Sequence, residues 1–361
     1  MLVPPDDLPE AALVSALRRS WGMTVSSMEY RAVGWGSHHW EVADTAGSRC
    51  FVTVDDLDKR REWDGEPPTA VFGRLRASLA AALDLRECGR SFVVAPVPAA
   101  DGEPLARVSD QGNRTDRGDR FAVALYPFIE GQSFEWGEFA SPGHRLGVLG
   151  LVAAVHTAPA AASRHALPDD FVVPQRDELE AAWDPCRPLP DCGPYARPVT
   201  LLVQRNAAAL RRLAARYDDL VRQARAQPDR AVLTHGEVHA GNTMLTAGGW
   251  VLIDWDTALV APPERDLWNL DPGDGTILDA YATATGVVPQ PLLLDLYRLR
   301  WDITDIAMDV GRLRQPHAGN AEDAKCWELV SSLIKRVSGT GPSFRGALSE
   351  NRADNEDWGF S

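Results

Sequence analysis

An α+β fold in two parts is what the sequence predicts: a small strand-rich module followed by a larger, mainly helical one. Three observations lead there. Aromatic and β-branched runs separated by turn signals fill the first 128 residues. A helical apolar period dominates from residue 141 onward. At 361 residues and 45% hydrophobic composition, the chain can fill two domains or one two-lobed unit with a substantial core.

Residues 8 to 21 read as an amphipathic helix. Val25 to Val33, His38 to Ala43 and Arg49 to Asp55 read as strands, separated by the turns GWGS and TAGS. A helix over about 69 to 87 follows, with Val71, Phe72, Leu75, Leu79 and Leu83 on one face. SFVVAPV and RFAVALYPFI are further extended runs, flanking the polar insertion SDQGNRTDRGDR, which is expected as an exposed loop. HRLGVLGLVAAVHTA reads as a buried helix, and the Pro-rich stretch WDPCRPLPDCGPYARP breaks the chain before a long helix over about 198 to 226. Residues 278 to 314 and 323 to 337 are again helical in pattern. The polar tail from Ser338 is expected to be loosely held.

The formal charge is −14, from 37 basic and 51 acidic side chains, which argues against nucleic acid or an anionic membrane as partner. It is compatible with a cationic substrate. No run approaches the length of a membrane helix, and the N-terminus lacks the basic-then-apolar order of a signal peptide. Five scattered cysteines (Cys50, Cys88, Cys186, Cys192, Cys326) without CxxC spacing fit a reducing cytoplasm.

Chemistry concentrates in AVLTHGEVHAGNTMLTAGGWVLIDWDTALVAPPERDL, residues 231 to 267. Two apolar runs there deliver His235, Glu237, His239, Asn242, Asp254 and Asp256 at their ends. One reading is a metal enzyme: His235, Glu237 and His239 at i, i+2 and i+4 would share one face of a strand and could hold zinc or iron. The other is phosphoryl transfer. A carboxylate five residues before an asparagine, then a second carboxylate after a short hairpin, supplies a proton acceptor and two hard-oxygen ligands for magnesium.

With HGEVHAGN followed by IDWD, the sequence resembles the aminoglycoside phosphotransferase family of small-molecule kinases, whose stretch typically reads HGDxHxxN and then IDWE or IDWD. The resemblance covers most of the chain. Gly34, Gly36 and Ser37 match the turn that covers ATP phosphates; YPFIEG, with Tyr126 and Phe128, is similar to the adenine-binding hinge. LVAAVHTAP and PPERDL resemble further family segments, and YRLRWDITDIAMDV resembles, more loosely, the spectinomycin phosphotransferase-like branch. The resemblance implies a protein-kinase-like fold. Residues 1–128 would form the antiparallel-sheet lobe that covers the nucleotide, 129–337 the helical lobe with catalytic loop and acceptor site, and 338–361 a flexible tail. By the same resemblance ATP and Mg2+ are the cofactors. Glu237 would be the catalytic base, and Asn242 and Asp254 the metal ligands. His235 and His239 would orient the loop, and Asp266 would tie its backbone together. Asp256 is placed on the acceptor side, with a supporting role or a plain strand-end position left open.

The pattern breaks in three places. Glu237 stands where the family has aspartate, one methylene shorter, and displacements near ~1 Å can be costly in rate. Thr53 in RCFVTVDD occupies the place of the phosphate-binding strand lysine. The helix over 69 to 87 has Arg74 and Arg76 where its partner glutamate is expected. An arginine could take over the phosphate charge, and Arg60, Arg61, Arg74 and Arg76 are candidates. A kinase-fold binding protein with weak or no transfer activity is the alternative these losses favour.

For the acceptor, Trp301, Asp302 and Asp305 lie on one helix, where Asp302, Asp305 and Asp309 share a face. Their mutual repulsion would be offset by a cationic aminoglycoside, aminocyclitol or amino sugar, or by pairing with Arg298, Arg300 and Arg312.

Overall fold

The structure, a computed structural model, describes residues 3–34, 36–108, 120–187 and 191–339. Trp35, the expected loop over 109–119 and the tail from residue 340 lie outside them. In chain order the first elements are α1 (Glu10–Trp21), β1 (Val25–Arg31), β2 (Ser37–Asp44), β3 (Arg49–Asp56), α2 (Pro68–Glu87), β4 (Ala106–Val108), β5 (Phe121–Pro127) and β6 (Gln132–Ser133). There follow α3 (Pro142–His156), α4 (Arg176–Ala182), α5 (Ala196–Arg225), β7 (Val232–Thr234), β8 (Thr243–Thr246), β9 (Gly249–Leu252) and β10 (Leu259–Ala261). The last are α6 (Glu264–Leu270), α7 (Thr276–Thr285), α8 (Pro291–Leu313) and α9 (Ala321–Val337).

These elements group into two compact units that are not sequential blocks. The first comprises residues up to Arg61, Gly65–Asp169 and Arg230–Pro289; the second comprises Glu62–Asp64, Asp170–Asp229 and the residues from Gln290 on.

In the first unit, β1 to β5 form an antiparallel sheet in the order β1-β2-β3-β5-β4. Strand alternation sorts its side chains. Trp40, Val42, Val52, Val54, Val123 and Leu125 point to one face, where Leu13, Ala16 and Leu17 of α1 complete a buried cluster. Each such aliphatic side chain contributes roughly 1.5–3 kcal/mol on burial. The register therefore sends Ser37, His39, Thr53, Asp55, Ala124 and Tyr126 to the opposite face. That face matters below. The same unit holds two smaller antiparallel assemblies, β10-β7 and β6-β8-β9.

SFVVAPV reads as a strand by composition but makes only a single bridge, Val93 to Leu252. Pro96 and Pro98 bring no N–H to a ladder, so the segment remains an extended connection. The helix expected over 278 to 314 is two helices. Gly286, in the left-handed region at φ 75°, caps α7, and Pro291 opens α8.

The second unit packs α4, α5 and α9 against α8. Ile303, Ile306, Ala307 and Val310 of α8 are buried, and α9 starts with a reciprocal capping box between Asn320 and Asp323.

Candidate active site

β7 ends at Thr234, paired with Leu259 of β10, and releases the chain into His235-Gly236-Glu237-Val238-His239. A single 3₁₀ turn, Ala240–Asn242, then leads into the β8–β9 hairpin. This segment is not a strand, so the histidines and Glu237 do not share a strand face. Asp266 at the start of α6 sets the loop backbone. Its Oδ2 accepts from His235 N at 2.9 Å and its Oδ1 from Gly236 N at 2.6 Å, while His156 Nε2 donates to Oδ2 at 2.9 Å. Burial opposes the Asp266 charge, but the hydrogen bond from His156 and the nearby Arg265 guanidinium help hold its pKa below the ordinary value.

Gly236 has φ +102°, and a Cβ there would lie 2.4 Å from the Arg265 guanidinium. Arg265 cannot yield easily, since it donates to Thr234 Oγ1 at 2.9 Å and to the Thr257 carbonyl at 2.8 Å. Only glycine fits between them. His235, fully buried, donates through Nε2 to the Ile253 carbonyl at 2.8 Å and accepts the Glu237 N–H on Nδ1 at 3.3 Å. Burial lowers its pKa, in keeping with this neutral tautomer. The loop is thus tied to the far end of the hairpin, and Ile253 N adds a bond to the Asn242 carbonyl at 3.0 Å.

Asn242 donates its Nδ2 to the Glu237 carbonyl at 3.0 Å, which leaves its Oδ1 as an acceptor facing no donor among the described residues. Asp254 follows in the left-handed region, φ 64°, between Ile253 and the fully buried Trp255. A non-glycine residue held there is sparsely populated backbone of the kind that gathers at functional sites. Asp254 keeps solvent access while protein atoms crowd around it. That crowding, and then repulsion from Asp256 and Glu237, pushes its pKa up. Burial, with a further push from Asp256, raises Glu237 to about 7. A carboxyl poised there is matched to accept a proton near neutral pH. Asn242 and Asp254 offer hard oxygens, one neutral and one anionic. The fit to magnesium rests on those two oxygens, since Arg60 and Arg265 already set positive charge beside the acids.

Across from the loop, the sheet face with Thr53 supplies Ser37 and Asp55, both buried. Ser37 donates its hydroxyl to Asp55 at 2.7 Å. Arg60, from the turn after β3, lies with Nε 2.7 Å from Asp55 and donates through Nη2 to Asp256 at 2.6 Å and to Ser37 Oγ at 2.9 Å. Thr53 Oγ1 sits 3.3 Å from His39 Nδ1, and burial brings His39 down to about 4. Gly34 and Gly36 turn above with φ +68° and +90°; a Cβ on the first would touch the His39 ring at 3.4 Å, and one on the second would lie 3.9 Å from Arg60 Nη2.

The structure therefore brings together Gly34, Gly36, Ser37, Thr53, Glu237, Asn242, Asp254, Asp256 and Asp266 within one compact unit. Asp256 meets Arg60. Tyr126 shares the Thr53 sheet face and feels the charges of Asp254, Asp256 and Asp55. Phe128 lies under the Arg49 guanidinium, 3.7 Å from its ring centre. His239 is brought down to about 4 by burial, and its Nδ1 has no hydrogen-bond partner among the described residues. Among the described residues no group of three or more His, Cys, Asp or Glu is arranged to hold a metal, and the His235 Nε2 is already engaged. Trp301, Asp302 and Asp305 belong to α8 in the second unit, where Asp302 pairs with Arg336 at 2.5 Å.

Asp55 escaped sequence reasoning, although its alternation with Thr53 along β3 was the available signal. Arg265 was visible in PPERDL, but the need to wedge its guanidinium against a glycine was not.

The sequence model of the phosphotransferase enzyme family matches residues 29–301. Protein StrN of Streptomyces griseus is 28% identical over 291 residues, spanning 78% of this chain and 82% of that protein. Among solved structures, a spectinomycin phosphotransferase in complex with ADP and spectinomycin aligns with a TM-score of 0.62 at 15% identity, over 91% of this chain and 97% of its own. Amicoumacin kinase hAmiN, in complex with AMP-PNP, Ca2+ and Ami, aligns with a TM-score of 0.55 at 14% identity, over 94% and 97%. These likenesses show a kinase-like fold.

Proposed function

The chain belongs to the phosphotransferase enzyme family and is a small-molecule phosphotransferase; from that premise we propose ATP- and Mg2+-dependent transfer to a hydroxyl of a small cationic molecule, an aminoglycoside, aminocyclitol or amino sugar. One observation carries the reading: Glu237, Asn242 and Asp254 stand on a single loop and hairpin whose backbone is fixed by Asp266, His235 and Ile253. In the transfer, the acceptor oxygen forms the new bond to the γ-phosphorus, ADP departs with the electrons of the bridging bond, and Glu237 takes the hydroxyl proton. A carboxyl near 7 can both take that proton and return it to solvent.

The Asn242 Oδ1 and the Asp254 carboxylate would hold magnesium, which when bound neutralises phosphate charge. The remaining work falls to the chain. Glycine turn residues Gly34, Gly36 and Ser37 would cover the phosphates, and Tyr126 and Phe128 would flank the adenine. The lobe boundary is placed at 128/129, and a cytoplasmic setting supplies the nucleotide. For the acceptor, the neighbours solved with spectinomycin and with Ami support a small antibiotic-type molecule, and Trp301, Asp302 and Asp305 are assigned to it. An antibiotic-resistance role follows from that reading.

Calorimetric titration with ATP, with and without magnesium, tests the proposal, followed by a coupled assay for ADP release over a panel of aminocyclitols and amino sugars. Magnesium-dependent binding and acceptor-dependent turnover are expected. Absence of magnesium-dependent binding refutes the reading. Binding of nucleotide and acceptor with no turnover would establish instead the binding-protein alternative, which Thr53 favours.

A further inference from the structure

A phosphotransferase needs a fixed cation against the nucleotide's phosphates, and the β3 position where the family has lysine holds Thr53. Four arginines near the end of β3 and on α2 are chemically able to replace it, and their contacts separate them. Arg76 is engaged with Glu103 at the exposed surface, with Nη2 to Oε1 at 2.9 Å. Arg61 pairs with Asp58 at 2.5 Å. Arg74 pairs with the fully buried Glu66 and donates to the Arg60 carbonyl at 3.3 Å. It fixes the backbone of Arg60 and is itself spoken for.

Arg60 reaches the sheet face that carries Thr53. Its Nε and Nη2 face Asp55, Asp256 and Ser37, and Nη2 lies beneath the glycine turn, 3.9 Å from where a Gly36 Cβ would stand. Its Nη1 makes no hydrogen bond or ion pair among the described residues, and the side chain is 24% exposed. A guanidinium presents its donors as a planar fork, so one edge can be anchored while another takes a phosphate oxygen. The partners of the anchored edge are the end of β3 and the residue two beyond Asp254.

We propose that Arg60 grips the terminal phosphates of the bound nucleotide in place of the strand lysine, with Asp55, Ser37 and Asp256 holding its fork in position. This rests on the phosphotransferase reading above. It also specifies that recognition strengthens with the number of phosphates.

The test is calorimetry on the full chain with AMP, ADP and AMP-PNP in magnesium. In the parent, affinity should rise from AMP to AMP-PNP. Arg60→Gln should weaken AMP-PNP by about 10- to 100-fold while leaving AMP within twofold, and Arg60→Lys should restore part of the difference. Equal weakening for all three nucleotides would mark Arg60 as merely structural, and an unchanged AMP-PNP to AMP ratio would likewise overturn the proposal. Because Arg60→Gln leaves Asp55 without its cation, the double variant Asp55→Asn, Arg60→Gln repeats the comparison in a charge-balanced background. A measurement on the unaltered chain runs beside it: phenylglyoxal labelling mapped by mass spectrometry, where AMP-PNP but not AMP should shield Arg60. Labelling of Arg60 at the same rate with and without AMP-PNP overturns the proposal. Failure of the parent to bind any of the nucleotides would instead defeat the phosphotransferase reading itself, and this proposal with it.

Discussion

Replacing Asp266 with asparagine keeps the side-chain volume and removes one charge, so it isolates what that carboxylate does for the loop it supports. Asp266 is 1% exposed and accepts three hydrogen bonds, from His235 N, Gly236 N and His156 Nε2. Asparagine has a single acceptor oxygen. Turned to keep the Gly236 bond, it presents its NH2 to two donors. One backbone N–H is then buried without a partner, which costs about 1–3 kcal/mol. The retained bond falls from charge-assisted to neutral, which costs about 1 kcal/mol more. His156 can adjust by exchanging tautomers, because its Nδ1 faces the Tyr281 hydroxyl at 2.8 Å. A loss of about 3 kcal/mol follows. Urea unfolding read by tryptophan fluorescence measures it, and Trp255, with its ring 4.6 Å from His235, reports on the loop directly. The pH dependence adds a sign. The folded-state pKa of Asp266 is depressed, so its contribution is complete above the unfolded value of 3.8 and is lost as pH falls through the folded one. The deficit of the variant should therefore be full at pH 7 and shrink below about pH 4. A variant within 0.5 kcal/mol or so of the parent at pH 7, or a deficit independent of pH, would refute this account of the loop.

Glu237→Gln should lower the transfer rate by about 10²- to 10⁴-fold while leaving magnesium-dependent ATP binding in place, as initial rates and calorimetry would show. In the parent, kcat/KM should climb as pH rises through about 7, where the Glu237 carboxyl loses its proton, and level off above; a flat profile between pH 6 and 8 removes it as the base. Gly236→Ala forces a Cβ onto the Arg265 guanidinium at a φ of +102°, so a loss of about 3 kcal/mol or more is expected in thermal or urea unfolding. Burial pushes Asp309 up to about 6 against the hydrogen bond from the Cys326 thiol at 2.9 Å. A raised folded pKa means that stability is lost as pH rises from about 4 to 6, so Asp309→Asn should be more stable than the parent by about 1–2 kcal/mol at pH 7.5 and equal to it at pH 4.

The residues of the catalytic stretch were legible because their geometry is local. Glu237, Asn242 and Asp254 are joined by one turn and one hairpin, so sequence spacing is nearly the same thing as distance. The strands of the first sheet were legible for a related reason: Trp40, Val42, Val52 and Val54 alternate with polar residues, and alternation is the geometry. Arg60 was only one of four candidates because its partner Asp256 is 196 residues away, and nothing in KRREW distinguishes neighbouring arginines. Asp302 was read as a repelling member of an acidic face, and the cation beside it, Arg336, comes from α9 rather than from its own helix. The merging of α7 and α8 had a different cause. Apolar residues continue the helical period through the junction, while Gly286, Pro289 and Pro291, which mark the break, were outvoted by it.

The departures at positions 53 and 237 are best understood through charge. Asp55, Glu237, Asp254 and Asp256 act on one another, while Arg60 is the cation that faces them and Arg265 offsets Glu237. Burial and the neighbouring acids raise the pKa of Asp55, Glu237 and Asp254, and holding Asp254 in the left-handed region costs about 1 kcal/mol besides. Asp55 and Asp256 are paired with Arg60, but a chain that only had to fold would lower its free energy by replacing Glu237 or Asp254 with a neutral residue. A protein that binds a divalent cation and transfers a proton has use for both features. The cation's charge relieves the repulsion at Asp254, while burial, with Asp256, keeps Glu237 basic enough to take a proton near pH 7. The longer side chain at 237 then need not weaken the base, since its strength is set by burial and by Asp256 rather than by the length of its stem.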